Sequence, residues 1–159
     1  MPAHFQFHDA QNLVYIRFEG TLTSGEVLRM RAGLVSSPAY RAGLVELIDM
    51  SQTEIIDFGM IGMLNIVRQY QDLFDAHGYP ICMIVFAPGD LGYGMARMFE
   101  SLTADDIRFA PILTQTLQEV ANALGHAGIT DAHRWLEELQ PAAGSGRDLQ
   151  DHDIVPKTI

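Results

Sequence analysis

Asp49, Ser51, Thr53 and Asp57 fall close together between an apolar run at 43–50 and an amphipathic stretch that begins near residue 58. In open α/β sheets, ligands favour the carboxyl ends of parallel strands. Here that edge would carry these four residues together with Pro88, Gly89 and Asp90, which follow the next apolar run. Carboxylates converging at such an edge have the oxygen chemistry that holds Mg²⁺. The same residues are also ordinary helix caps and turn formers. Their spacing matches no ion-binding loop, so no metal is expected. A Ser-His-Asp site needs a base beside its nucleophile. No Gly-x-Ser-x-Gly elbow occurs, and the histidines, at 4, 8, 77, 126, 133 and 152, stand mostly at chain ends or helix termini. Cys82 sits between Ile81 and Met83 in an apolar run, the setting of an inert core thiol. Residues 89–94 are glycine-rich, but their spacing fits neither the Walker nor the Rossmann phosphate loop. The expectation is a protein that is not an enzyme and uses no cofactor.

The elements that would position these residues can be read from periodicity. Residues 4–8 and 13–19 read as an antiparallel hairpin, the second strand alternating Val14, Ile16 and Phe18 against Tyr15, Arg17 and Glu19. Ser24 is placed to cap a helix through Val27, Met30 or Arg31, Leu34 and Val35, which Pro38 stops. A βαβ unit follows over 43–86. It contains a strand at 43–50, a polar loop at 51–57 and a helix to His77 with Asp57 as its N-cap and Gly78 beyond its end. One face of that helix is expected to carry Met60, Met63, Leu64, Val67, Tyr70 and Phe74. A buried strand at 81–86 closes the unit. Further helices are expected at 91–102, from Thr114 or Thr116 to about 125, and at 130–139, with a weak edge strand at 107–112 that tolerates Pro111. The order predicts one α/β domain over 1–140, a mixed β-sheet of about five strands with flanking helices, followed by a low-order tail at 141–159.

Bulk composition narrows the partners. With 48% hydrophobic residues the chain can build a core. Twenty acidic residues against ten basic ones give a formal charge of −10, and Lys157 is the one lysine. Such a chain repels phosphate backbones, so no nucleic-acid partner is expected, and anionic membrane surfaces are disfavoured for the same reason. One cysteine allows no internal disulfide and suits a reducing compartment. The N-terminus lacks a signal peptide's basic and apolar regions, and the longest apolar run, 81–88, is far short of a membrane span. The expected location is the cytoplasm.

Residues 20–23 (Gly-Thr-Leu-Thr), 47–51 (Leu-Ile-Asp-Met-Ser) and 92–100 (Gly-Tyr-Gly-Met-Ala-Arg-Met-Phe-Glu) together resemble SpoIIAA-like proteins of the STAS superfamily, in the branch that overlaps the SEC14-like group. The resemblance runs over about residues 5–124. It implies a mixed sheet with flanking helices and a role as a regulatory module that binds a protein. In the wider superfamily a serine at the start of the helix after the third strand is the phosphoacceptor of a switch. The matching stretch here is Ile56-Asp57-Phe58-Gly59, and Phe58 cannot accept phosphate. The resemblance therefore implies a non-enzymatic regulatory module without its phosphoacceptor serine. The expected binding surface comprises Asp49, Ser51, Thr53, Asp57, Phe58, Gly59, Asp90, Tyr93 and Arg97. The alternative is a SEC14-like carrier of a small apolar ligand, lined by Phe58, Met60, Met63, Tyr93 and Phe99. A homodimer through an open sheet face or edge is a further possible assembly.

Overall fold

A computed structural model of the chain describes residues 3–77, 81–132 and Leu136. Its elements are β1 (Ala3–His8), β2 (Leu13–Thr23), α1 (Ser24–Ser36), β3 (Val45–Asp57), α2 (Met60–His77), β4 (Ile81–Phe86), α3 (Asp90–Leu102), β5 (Phe109–Thr114) and α4 (Leu117–His126), with a 3₁₀ turn at Asp9–Gln11. The five strands form one sheet in the order β1-β2-β3-β4-β5. β1 and β2 are antiparallel, and every other neighbouring pair is parallel. This is the α/β mixed sheet that the periodicity implies. The β1–β2 turn is closed by Asn12, whose left-handed backbone (φ 55°) suits an asparagine, while its side chain donates to Gly43 O at 2.7 Å.

Strand alternation divides the core between the two faces of the sheet. Val14, Ile16 and Phe18 of β2, Ile48 of β3 and Met83 and Val85 of β4 face α1, α2 and α3. Leu13 and Tyr15, Val45 and Leu47, and Ile84 face α4 with Ile129, Ala132 and Leu136. β5 is an edge strand, which is where Pro111, without an N–H, costs no ladder bond.

Several local readings are corrected. The polar segment 51–57 is strand, not loop: β2 and β3 run on together, pairing Glu19 with Gln52 and Thr23 with Asp57. Period-2 hydrophobicity is absent there because the extension is largely solvent-exposed, and two register shifts, after Arg17 and after Gly20, break what alternation remains. The cap of α1 is Thr23 rather than Ser24. Its hydroxyl accepts from Glu26 N–H while the Glu26 carboxylate accepts from Thr23 N–H, a reciprocal capping box. Asp57 does not cap α2, because it is still in β3. The Gly59 carbonyl accepts the first intrahelical bond, from Met63 N–H. Thr116, not Thr114, caps α4, since the Thr114 hydroxyl donates to Val85 O across the sheet. The expected strand at 107–112 sits two residues later. Of the helix expected over 130–139, Ala132 and Leu136 are helical and buried. The remainder of it, Gly78 and the tail at 141–159 lie outside the described residues.

Two helices, α1 and α2, are tied to the sheet by a buried polar group that the periodicity did not mark. Arg31 of α1 and Glu46 of β3 are 0% and 1% exposed. Their two parallel bonds, Nη1 to Oε1 and Nη2 to Oε2, are both 2.7 Å. Arg31 Nη2 also donates to the Tyr70 hydroxyl of α2, and its guanidinium lies 4.1 Å from the centre of the Tyr70 ring. Burial by itself would lower the Arg31 pKa, but Glu46 and Tyr70 beside it raise it above the usual arginine range, so the charge is held firmly.

Candidate functional site

At the carboxyl end of the sheet, β4 pairs only with Val45–Asp49, whereas β3 continues to Asp57 alongside β2 alone. No described strand pairs with the other side of β3 beyond Asp49. The chain then turns through Phe58 and Gly59 into α2. Ala87, Pro88 and Gly89 lead from β4 into α3 in the same direction. Both helix starts and the β3 extension therefore crowd one edge.

That edge is apolar at its surface. Seven large hydrophobic residues are exposed among the described residues, and five of them lie here: Ile55 on β3, Met60, Ile61 and Leu64 in the first turns of α2, and Leu91 in the first turn of α3. Ile61 is the most open of the five at 78%. This corrects the helical-face reading of α2. Its buried stripe is Met63, Ile66, Val67, Tyr70 and Phe74, and Met60 (51%) and Leu64 (41%) face outward beside Ile61. Residues three and four apart are neighbours on a helix, so Met60, Ile61 and Leu64 make one patch. Single exposed apolar side chains are normal, but a cluster on one edge marks a contact surface.

The charge at this edge has one sign. Segments 51–67 and 87–96 contain Glu54, Asp57 and Asp90, all exposed, and no lysine or arginine. Arg68 and Arg97 border the patch. Arg97 is exposed and reaches Glu100 at 3.4 Å.

The residues expected to form the surface are divided by the sheet. Asp57, Phe58, Gly59, Asp90, Tyr93 and Arg97 are grouped at the α2 and α3 starts. Asp49 is not with them. It is buried on the opposite face, where its carboxylate accepts from the Tyr15 hydroxyl and from Ser51 N–H at 2.8 Å. Burial, then the nearby Asp49 charge, push the Tyr15 phenol above its ordinary range. Thr53 is spent on the strand extension, its hydroxyl donating to Phe18 O at 3.3 Å. Ser51 is partly buried in the same strand. The exposed Ile55, Met60, Ile61, Leu64 and Leu91 were missed as a group. Their signal was present in the run of apolar residues 60, 61, 63, 64, 66 and 67, which covers more of a helix surface than one buried stripe can use.

An apolar cavity of about 80 Å³ lies between α1, α2, α3 and the sheet. Its walls include Phe18, Ile48, Met63, Met83, Ala96 and Phe99, all buried. Met50, Phe58 and Met95 are the partly exposed members and form its mouth. Phe58 is seated against the bare backbone of Gly62, where an added Cβ would stand 2.7 Å from Phe58 Cβ. Alanine in a helix is favoured over glycine by about 1 kcal/mol, but overpacking of this kind costs roughly 1–3 kcal/mol. Gly62→Ala is therefore expected to lower stability by about 1 kcal/mol in urea unfolding and to displace the Phe58 ring. A gain of similar size would show that Phe58 is not seated there.

Among the described residues no group of three or more histidine, cysteine, aspartate or glutamate side chains is placed to hold a metal ion. Burial raises the Cys82 thiol above its ordinary pKa, with Glu46 adding to the shift, which disfavours a thiolate nucleophile. No described helix is long and apolar enough to cross a membrane.

No protein-family model matches the chain. No curated protein matches it. Solved structures similar to it include the following two. One is an uncharacterized protein of the DUF3478 family with a SpoIIAA-like fold, from Shewanella loihica PV-4, at 17% identity and a TM-score of 0.46, covering 77% of this chain and 91% of that one. The other is the anti-sigma factor antagonist SpoIIAA in its unphosphorylated form, at 14% identity and a TM-score of 0.45, covering 78% of this chain and 97% of that one.

Proposed function

We propose that the chain is a non-enzymatic regulatory or protein-interaction module that docks a partner protein on the edge built from the β3 extension and the starts of α2 and α3. The observation that carries this reading is the grouping of exposed Met60, Ile61 and Leu64 at the start of α2, with exposed Leu91 in the first turn of α3 at the same end of the sheet. Their acidic rim, Glu54, Asp57 and Asp90, fits a partner segment with an apolar centre and basic flanks. Phe58 occupies the position of the phosphoacceptor hydroxyl in the resemblance to SpoIIAA-like proteins, so docking here works without phosphorylation at that position.

The carrier reading ranks second. Pockets for free small molecules begin at roughly 300 Å³, and the cavity of about 80 Å³ falls well short.

The test compares the full-length chain with Ile61→Asp and Leu64→Asp, each used as bait in extracts of its own host, after circular dichroism has shown an unchanged fold. Both side chains are exposed, so neither substitution burdens the core. A central interface residue is expected to weaken partner retention tenfold or more, and retention by the unaltered chain should fall as salt rises. Equal retention of the same proteins by all three forms would remove this surface from consideration.

A further inference from the structure

The cavity opens at the same end of the molecule as the exposed apolar residues, although none of those five lines it. Its mouth is made by Met50 of β3, Phe58 between Ile55 and Met60, and Met95, one helical turn after Leu91. An apolar recess that opens to solvent holds water poorly, and its walls forfeit the contacts that a filling group would make. A cavity of roughly 150 Å³ takes up benzene or xenon. The one here is smaller, but four of its lining residues are Met50, Met63, Met83 and Met95. Unbranched thioether side chains change rotamer at little cost and adapt to what they meet. The size is therefore wrong for a carried ligand and right for one compact apolar group.

We propose that this cavity receives an apolar anchor side chain, of leucine, methionine or phenylalanine size, from the protein that docks on the edge above it, with Phe58 swinging aside to admit it. This rests on the docking reading and specifies the partner: a basic segment that presents one deep apolar anchor, surrounded by shallower contacts to Ile61, Leu64 and Leu91. Interfaces concentrate their energy in such central, desolvated anchors. The face is otherwise shallow, and the cavity is where an anchor can be fully buried.

The test has two arms. In the first, benzene or xenon is titrated into the full-length protein carrying ¹³C-labelled methionine methyl groups. The expected result is saturable shifts at Met50, Met63, Met83 and Met95, with none at Met60, which is exposed, or at Met30, which is buried but does not line the cavity. Ala96→Leu, which fills the cavity from within without altering the exposed patch, should abolish those shifts. Should that variant fail to fold, Val85→Leu replaces it. Absence of saturable shifts, or shifts that persist in the filled variant, overturns the proposal. In the second arm, partner retention by the filled variant is expected to fall at least tenfold with the surface intact. If Ile61→Asp abolishes retention and the filled variant does not, docking stands and the anchor is overturned. If benzene binds, a host small molecule accompanies the native protein in mass spectrometry and filling leaves retention unchanged, the cavity is a small-ligand site and the anchor is again overturned.

Discussion

Arg31→Met is expected to destabilise the protein by about 3–5 kcal/mol, because removing one partner of a buried ion pair leaves the other charged and unmatched. Domains of this size are held by roughly 5–15 kcal/mol in total, so one substitution removes a large part of the margin. The Glu46 carboxylate would keep no guanidinium in a position that is 1% exposed, and the Tyr70 hydroxyl would lose its donor. Glu46→Leu should cost a similar amount, since it strands a guanidinium that is wholly buried. The double variant Arg31→Met/Glu46→Leu is expected to recover most of the loss, because apolar groups of similar volume replace such pairs at little net cost. Urea unfolding of the four forms at pH 7 supplies the cycle. Additive losses would show that the two side chains do not act as a pair. By contrast, Arg97→Ala, which removes an exposed pair with Glu100, should fall within about 0.5 kcal/mol of the unaltered protein.

Above pH 10 stability is expected to fall steeply. Burial, then neighbouring Asp49, raise Tyr15, while burial raises Tyr70 against the opposing pull of Arg31. The folded pKa values thus exceed that of an unfolded tyrosine, about 10. Below pH 10 both states hold these protons and the contribution is complete. Above it the unfolded chain releases protons that the native state keeps, so fewer protons are bound on unfolding and ΔG falls as pH rises. Tyr15 contributes at most about 1.4 kcal/mol per pH unit, and Tyr70 adds to the fall in the same direction. Burial also pushes Tyr40 up to about 12, with Glu46 adding to the shift. Its phenol is partly solvated, so solvent screening makes its share smaller. Urea unfolding at pH 9, 10 and 11 should give a shallow first step and a steeper second. Tyr15→Phe should make that second step shallower, and an unchanged step in that variant would exclude Tyr15 from the effect.

The order of elements was legible in the chain because each half-buried strand and helix carries its own period. Val14, Ile16 and Phe18 declare a strand at spacing two. Met63, Val67, Tyr70 and Phe74 declare a helix at spacing three to four, and Pro38 marks where α1 must stop. The caps were legible only to within one or two residues, since Thr23 and Ser24 offer the same hydroxyl and geometry alone chose Thr23. The β3 extension was not legible, because a solvent-exposed ribbon with register shifts carries no alternation to read. Glu46 in a strand and the choice between Met30 and Arg31 as core residues were open for a related reason. Each charge is admissible in a core only if the other, fifteen residues away, arrives opposite it.

Residue types and their spacing, on their own, determined that this chain forms an α/β sheet with flanking helices, and that the starts of α2 and α3 follow strands at one end of that sheet. Only the tertiary structure decided which residues there share a face. A strand presents alternate side chains to opposite sides, so Asp49 was carried to Tyr15 while Met50 went to the cavity. The packing of α2 likewise left Met60, Ile61 and Leu64 exposed while Met63 and Val67 were buried. Exposure is a property of what packs alongside, and no single segment encodes its neighbour.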